Sequence, residues 1–175
     1  LLDTWPEPVC IQVLCGTGNN GGDGFLIADL AHKRAIPVTV LQVGDPDRIS
    51  GDARLARDQA LANGVDIKPF EDGELMSVGV VVDALLGTGL GGDVRGEFRE
   101  AIEEINGSRA QVLAVDIPSG LCSDTGRVLG VAVRADLTVT FIGLKRGLFT
   151  LDAADYTGAI EFAGLGVPAE VYKHV

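Results

Sequence analysis

The sequence predicts an α/β fold in which helices cover both faces of a mostly parallel central sheet, giving three layers. Short apolar runs rich in β-branched residues recur along the chain, as expected for parallel strands buried on both faces. Helical patterns separate most of these runs, and the alternation of strand and helix is typical of βαβ units. Glycine-rich turns follow two of the runs, at residues 16–24 and 87–92. Together these observations place turns with binding potential at the carboxyl ends of parallel strands.

Each element has a local signal. Apolar positions at helical spacing, such as Ala53, Ala56 and Ala60, predict the helices, and Gly or Pro punctuation sets their limits. No helical pattern separates the last two strands, so we expect a mixed or antiparallel edge. Residues 71–76 are interpreted as a turn or short helix. The predicted strands are residues 9–15, 38–43, 67–70, 78–82, 112–115, 137–141 and 159–163. The predicted helices are residues 22–35, residues 50–63, and a third helix from residue 98 that ends at residues 106–107.

Length and composition restrict the class of protein. At 175 residues the chain fits one domain, residues 1–175, with one core. Hydrophobic residues make up 46% and the mean hydropathy is +0.27. No apolar run approaches the roughly 18 residues of a membrane span, which indicates a soluble protein. The net charge of −11, with only 14 scattered Lys and Arg residues, argues against a nucleic-acid surface. A small-molecule partner is expected.

Cysteine and histidine usage excludes two kinds of site. Cys10, Cys15 and Cys122 are odd in number and form no C-x-x-C pair, so we interpret them as core thiols in a reducing compartment. His32 and His174 are the two histidines, one in a helical pattern and one in the C-terminal tail. A zinc site or a Ser-His-Asp triad therefore has too few ligands to be built.

The first glycine-rich turn contains the spacing G-x-G-x-x-G at Gly16, Gly18 and Gly21. Such glycines allow positive φ and close approach of a ligand, and the following helix N-terminus favours a pyrophosphate. This spacing alone is weak evidence. Asn19, Asn20 and Asp23 add amides and a carboxylate that contact ligand hydroxyls or a cation, although the same residue types also satisfy turn geometry.

Two carboxylates come at the ends of apolar strands. In an open α/β sheet the ligand binds outside the carboxyl ends, where strand order reverses. Asp83 and Asp116 are therefore expected in one crevice, with Asn20 and Ser119 beside them. These side chains offer oxygen only, which suits an alkali or alkaline-earth ion. The alternative is that each Asp merely caps a turn.

Two neighbouring acids on a partly dry floor would differ in pKa, one suited to holding a cation and the other to exchanging a proton. Lys145 also lies in a glycine-containing loop. It is a further candidate for the site, although we favour its interpretation as a solvent-exposed loop lysine.

The sequence resembles the NAD(P)H-hydrate epimerase family on several motifs. These are GNNGGDG at residues 18–24, VDALLGTGL at residues 82–90, DIPSGL at residues 116–121, and the stretch 138–147 with its Lys145. The motifs occur in the family's order and cover most of residues 9–168. The resemblance implies a Rossmann-like αβα domain that interconverts the R and S forms of hydrated NADH or NADPH. Water has been added to the nicotinamide ring of these molecules at C6, and an S-specific dehydratase then repairs them.

The resemblance also implies roles for particular residues. Asp116 is a substrate contact and our candidate general acid and base. Potassium is the implied cofactor, with Asn20, Asp83 and Ser119 as its ligands. The implied substrate-binding residues are Asn19, Asn20, Gly21, Gly22, Asp23, Gly87, Thr88, Gly89, Leu90, Gly91, Gly92, Asp93 and Asp116.

Further expectations follow from the resemblance. The partner is NAD(P)H-hydrate dehydratase, the assembly a homodimer and the location the cytoplasm, with no nucleic acid and no membrane bound. The family's N-terminal helical segment and any C-terminal dehydratase domain are expected to be absent from residues 1–175. Preference between the NADH and NADPH hydrates is left open by the sequence.

Two other functions remain as alternatives. An NAD-dependent dehydrogenase uses the same glycine spacing, and Asp45 could supply the acidic residue near the end of its second strand. The chain offers no catalytic His or Tyr-Lys pairing for that reaction. A non-catalytic nucleotide-binding or interaction module would have the same fold but no need for Asp83 and Asp116.

Overall fold

The computed structural model describes residues 1–77 and 79–167. Val78, at the predicted start of a strand, and Pro168 and His174 lie outside the described residues. The strands are β1 (Ile11–Cys15), β2 (Val38–Gln42), β3 (Asp66–Pro69), β4 (Val80–Ala84), β5 (Gln111–Val115), β6 (Leu137–Phe141) and β7 (Ala159–Ala163). The α-helices are α1 (Asn19–Lys33), α2 (Gly51–Ala62) and α3 (Glu97–Gly107). Short 3₁₀ helices span Pro46–Arg48, Arg146–Phe149 and Leu151–Asp155.

The seven strands form one sheet in the order β3-β2-β1-β4-β5-β6-β7. All neighbouring pairs are parallel. The order reverses between β1 and β4, because the chain builds outward from β1 to β3 and then returns to the other side of β1. A crevice opens at the carboxyl ends of the strands at such a reversal.

Alternate residues of each strand pack into different layers. Val13 on β1 and Val82 on β4 pack into a cluster with α1 and α2. Leu14 and Val81, one residue along each strand, pack into a second cluster with α3. The predicted three-layer α/β fold is therefore confirmed, and the period-two alternation of a strand explains why both faces are apolar.

The predicted edge of the sheet is wrong. β7 pairs with β6 in parallel along its whole length, so the edge is neither mixed nor antiparallel. Residues 142–158 connect the two strands through the 3₁₀ helices Arg146–Phe149 and Leu151–Asp155. A parallel return needs a connection of about a dozen residues or more, and two 3₁₀ turns supply it without an α-helical pattern.

Three local predictions also need correction. Helix α1 begins at Asn19 and not at residue 22, so both asparagines belong to its first turn. Asp83 is the fourth residue of β4, paired in register with Leu14 and Ala114, and does not follow the strand. Among the predicted core thiols only Cys15 is fully buried, while Cys10 and Cys122 are half-buried.

The glycines of the first turn serve packing and not unusual backbone angles. None of the five glycines between residues 16 and 24 has positive φ. A Cβ on Gly16 would lie 1.9 Å from the carbonyl oxygen of Leu85, and one on Gly21 would lie 2.0 Å from that of Gly16. The turn after β1 can thus press against the end of β4 only because these residues have no side chain.

A buried carboxylate joins α1 to α2. Asp29 is only 2% exposed, and its oxygens accept hydrogen bonds from Lys33 (2.6 Å), Gln59 (2.8 Å) and Asn63 (2.7 Å). The hydrogen bond from Lys33 is the largest cause that lowers the pKa of Asp29 below its ordinary value of 3.8. The ionised form is therefore favoured by the folded state.

We predict that Asp29→Asn lowers the free energy of unfolding by about 1–3 kcal/mol near neutral pH, because an amide nitrogen would face buried donors. Since the pKa of Asp29 is lowered on folding, its stabilisation is complete above pH 3.8 and is lost as the pH falls below that value. Denaturant unfolding at pH 7 and in the acid range measures both effects. Asp58→Asn is the control, because Asp58 is 57% exposed and lies 3.9 Å from Arg57, a geometry worth about 0–1 kcal/mol. Equal losses in the two variants would contradict the role of Asp29.

We also predict that Gly16→Ala destabilises the fold by about 1–3 kcal/mol, because the new methyl group would overlap the Leu85 carbonyl. Gly18→Ala is the matched control: a Cβ there meets no atom within 4 Å, and φ is −96°. We expect that control to stay within about 0.5 kcal/mol of the parent protein in denaturant unfolding. A tolerated Gly16→Ala would show that the turn and β4 are less tightly apposed than the structure has them.

Candidate functional site

A cavity of about 530 Å³ lies at the carboxyl ends of β1, β4 and β5, where the strand order reverses. We call it the switch-point cavity. Its wall is formed by Thr17, Gly18, Asn19, Asn20, Asp23, Leu85, Leu86, Gly87, Thr88, Gly89, Leu90, Gly91 and Asp116. The two glycine-rich segments and Asp116 are distant in sequence, so only the parallel sheet brings them to one cavity.

Most of the residues predicted to bind substrate lie on this wall. Four of them do not. Gly21 and Gly22 are buried in the first turn of α1, where added Cβ atoms would meet Gly16 and Ala53. Gly92 and Asp93 are exposed beyond the wall. The substrate contacts assigned to all of these residues stay predictions.

Asp83 lies beneath the cavity and is completely buried. Its Oδ2 accepts a hydrogen bond from the backbone N–H of Ser119 (2.8 Å), and its Oδ1 accepts from Ser119 Oγ (2.6 Å) and the N–H of Leu85 (3.3 Å). Burial raises the pKa of Asp83 to about 6, because the hydrogen bonds offset only part of the desolvation of the charge. No cationic side chain of the described residues pairs with it.

The three predicted potassium ligands converge on one backbone segment, residues 85–86. Asn20 Nδ2 donates to the carbonyl oxygen of Leu86 (3.1 Å), and the N–H of Leu86 donates to Ser119 Oγ (2.8 Å). Leu85, the preceding residue, donates to Asp83. The arrangement gathers carboxylate, hydroxyl and amide groups around a charge that has no ion-pair partner. Hard monovalent cations prefer such oxygen donors.

Asp116 occupies an unusual backbone position directly after β5. Its φ is +68°, in the left-handed region that non-glycine residues seldom adopt, and its N–H donates to the carbonyl oxygen of Val139 (2.8 Å). The side chain is 18% exposed and reaches the switch-point cavity. Backbone strain of this kind clusters at functional sites, where the surrounding structure holds it.

The interpretation of Lys145 as a solvent-exposed loop residue is wrong. Its side chain is only 16% exposed and forms an ion pair with Asp116. Local spacing cannot show this contact, because the two residues follow different strands. A topological signal is present, since consecutive parallel strands β5 and β6 place the loops after them side by side.

A second cavity of about 490 Å³ adjoins the first, and we call it the side cavity. Asp23, Thr88 and Asp116 line both cavities. Partial burial, followed by the negative charge of Asp116, raises the pKa of Asp23 above its ordinary value. The other residues of the side cavity are Phe141, Ile142, Gly143, Leu144, Lys145 and Leu165.

Two features are absent from the part of the chain that the structure describes: a cluster of metal-binding side chains and a membrane-spanning helix. In residues 1–77 and 79–167 no group of three or more His, Cys, Asp and Glu side chains could hold a metal ion. Within the same ranges no helix combines the length and apolar character needed to cross a membrane.

A family model and individual relatives of this chain point to the same protein family. Residues 1–147 match the model of the family described as YjeF-related protein N-terminus. A Coxiella burnetii protein named bifunctional NAD(P)H-hydrate repair enzyme Nnr is 43% identical over 100% of this chain, which spans 36% of that relative. A Levilactobacillus brevis protein named NAD(P)H-hydrate epimerase is 39% identical over 91% of this chain and 74% of its own length.

A solved structure supports the fold. The crystal structure of the yeast protein ynu0 superimposes with a TM-score of 0.81 over 96% of this chain and 71% of its own, at 20% identity. The chain spans about a third of the length of the bifunctional relatives and about three quarters of the Levilactobacillus relative. On the family match and these identities, the chain belongs to the family of YjeF-related protein N-terminal domains, as its motifs indicated.

Proposed function

We propose that this chain is an isomerase that interconverts the R and S epimers of hydrated NADH and NADPH at C6 of the nicotinamide ring. One observation carries the proposal: two glycine-rich segments and a carboxylate, Asp116, share one cavity at the sheet's switch point. It is supported by 39% identity to a protein named NAD(P)H-hydrate epimerase. Residues 1–175 would belong to a single epimerase domain.

The cavities suit a dinucleotide. The switch-point cavity and the adjoining side cavity, about 530 and 490 Å³, each fall in the range of small-molecule sites, about 300–1,000 Å³. The 15-residue helix α1 begins at Asn19 on the cavity wall, and its free N–H groups favour the negative charge of a pyrophosphate. The nicotinamide end would then lie near Asp116, between the two cavities.

Two routes of epimerisation are chemically balanced, and both need one proton transferred and returned. In the first, the C6–O bond breaks with help from the ring-nitrogen lone pair, the hydroxyl leaves as water with an added proton, and water then attacks the other face and releases a proton. In the second, the hydroxyl loses its proton as the C6–N bond breaks, the nitrogen gains one, and the ring closes again on the opposite face. In each route one positioned acid–base group can transfer the proton in the bond-breaking step and return it in the bond-forming step.

Of the two carboxylates predicted at the strand ends, Asp116 fits the acid–base role. It lies on the wall of both cavities. Asp83 has no exposed surface, and both of its oxygens accept hydrogen bonds from the protein. A general acid or base must come within hydrogen-bond reach of the substrate, which Asp83 does not.

We propose potassium as the cofactor, held by Asn20, Asp83 and Ser119. The uncompensated charge of Asp83, with its raised pKa, is the structural reason to expect a cation. Bound there, a monovalent cation would neutralise the buried carboxylate and stabilise the backbone of residues 85–86 that hydrogen-bonds around it. The structure supports this fit through its oxygen-only donor set.

The position of Asp45 argues against the dehydrogenase alternative. Asp45 is exposed, and its Oδ1 accepts a hydrogen bond from the N–H of Asp47 (2.9 Å), so it caps the 3₁₀ helix Pro46–Arg48. It is not part of the switch-point cavity. No observation favours this function over the epimerase.

Partner, assembly and location complete the proposal. The Coxiella relative is named a bifunctional repair enzyme, which supports a dehydratase as the functional partner, whether fused or separate. A homodimer and a cytoplasmic location follow from the resemblance and stay predictions. Sedimentation equilibrium of the purified protein tests the dimer.

The activity prediction is direct. Purified protein incubated with one epimer of hydrated NADH should produce the other faster than a protein-free blank, as followed by chromatography. We expect Asp116→Asn to lower kcat by about 10²–10⁴-fold, because an amide cannot exchange the proton. Asn tolerates the left-handed region, so φ of +68° at this position should persist.

Asp58→Asn, the exposed control, should leave turnover unchanged. Unchanged turnover in Asp116→Asn would remove that residue from the mechanism. Protein-independent rates in every sample, together with binding of NAD⁺, would favour the interaction module. Oxidation of an alcohol with reduction of NAD⁺ would favour the dehydrogenase.

We predict activation by potassium. Turnover should be higher in KCl than in choline chloride at the same ionic strength, and Ser119→Ala should raise the KCl concentration for half-activation by about tenfold or more, about 1.4 kcal/mol for one lost ligand. Ser50→Ala is the matched control, since that hydroxyl forms no cap hydrogen bond at the start of α2. Identical rates in the two salts would contradict the potassium site.

A further inference from the structure

The carboxylate of Asp116 is held by the protein on one side only. Its Oδ1 accepts hydrogen bonds from the N–H of Phe141 (3.1 Å), from Thr140 Oγ1 (3.4 Å) and from Lys145 Nζ. In residues 1–77 and 79–167 no hydrogen-bond donor contacts Oδ2. The two oxygens of one carboxylate therefore have different surroundings.

Lys145 is committed to this contact. Its Nζ donates to Asp116 Oδ1, to Thr140 Oγ1 (3.1 Å) and to the carbonyl oxygen of Phe141 (2.9 Å). An ammonium group has three N–H donors, so these acceptors use them all. Lys145 is therefore placed to hold Asp116 and not to exchange a proton itself.

A tight turn brings Lys145 back to the end of β6. Ile142, directly after that strand, has φ of +63°, a strained value for a β-branched residue, and the N–H of Gly143 donates to the carbonyl oxygen of Phe141 (2.6 Å). Asp116 itself has φ of +68°. The loops after β5 and β6 thus each contain one residue with a left-handed backbone, and the ion pair between Lys145 and Asp116 joins the two loops.

We propose that Lys145 is a positioning residue that commits Oδ1 of Asp116 to the protein and leaves Oδ2 as the oxygen that exchanges a proton with the substrate. This inference rests on the proposed epimerase function and deepens it. The ammonium also offsets the negative charges around it, those of Asp116 and of Asp23, which interacts with Asp116 from α1. Without it Oδ1 would keep only the hydrogen bonds from Phe141 N and Thr140 Oγ1, so the carboxylate would be held less firmly and either oxygen could meet the substrate.

The test compares Lys145→Met with Lys33→Met. Both remove the ammonium that pairs with a poorly exposed aspartate, Asp116 in one case and Asp29 in the other, but Lys33 lies outside both cavities. We expect Lys145→Met to lower kcat by about 10–100-fold, the scale of an active-site group misplaced by about 1 Å, with KM within about threefold. Lys145→Arg, which keeps the charge, should recover most of the loss. Lys33→Met should leave kcat unchanged.

A crystal structure of Lys145→Met gives a readout that does not depend on activity. We expect the Asp116 carboxylate to leave its contacts with Phe141 N and Thr140 Oγ1. A carboxylate that stays in place, or an unchanged kcat, would overturn the positioning role. If Lys145→Met fails to fold, Lys145→Arg decides: near-full kcat with Asp116 in place, or lost kcat with Asp116 displaced, supports the role. Full kcat with Asp116 displaced, or lost kcat with Asp116 in place, overturns it. A wild-type protein that turns over neither epimer would overturn the proposed function, while the crystal structures still decide whether Lys145 holds Asp116.

Discussion

The hydrogen bonds between Asp83 and Ser119 are the interaction on which the site depends. They join the fourth residue of β4 to the turn after β5, across two neighbouring strands. Ser119 in turn accepts from Leu86, and Leu86 accepts from Asn20 at the start of α1. A single buried carboxylate therefore fixes the relative positions of the three segments that surround the switch-point cavity. A charge in such a place stabilises the structure only when its hydrogen bonds are satisfied, and the turns are shaped to satisfy them.

Charge is distributed unevenly around the cavity. Asp23, Asp83 and Asp116 are acidic, and the chain as a whole has a net charge of −11. Binding a pyrophosphate here cannot rely on overall attraction. The attraction must come from backbone N–H groups of the glycine-rich segments and from the N-terminus of α1, whose dipole acts over short distances. The ion pair between Lys145 and Asp116 removes part of the local repulsion at the same time.

Strain and close packing concentrate where the chemistry is proposed. Asp116 and Ile142 have left-handed backbones on adjacent loops, and Gly16 lies against β4 at a distance that excludes a side chain. A left-handed backbone at a non-glycine residue is unfavourable by about 1–3 kcal/mol, so the packed sheet beneath Asp116 and Ile142 must hold both residues in place. The two apolar clusters on either face of β1 and β4 provide that rigid base.

The local pattern of the sequence alone determined much of this protein's fold and the placement of its site residues. The order of strands and helices, the bounds of β6 and β7, and the placement of Asn20, Asp83 and Asp116 near the carboxyl ends of strands all follow from periodicity and turn chemistry, which act over a few residues. That these residues meet at one edge of the sheet follows from the rule for parallel sheets. Tertiary structure decided the rest. The parallel direction of β7, the packing role of Gly16 and Gly21, and the burial of Lys145 beside Asp116 depend on contacts between residues far apart in the chain. The spacing of residues along the chain does not show such contacts, because they form only once the strands of the sheet lie side by side.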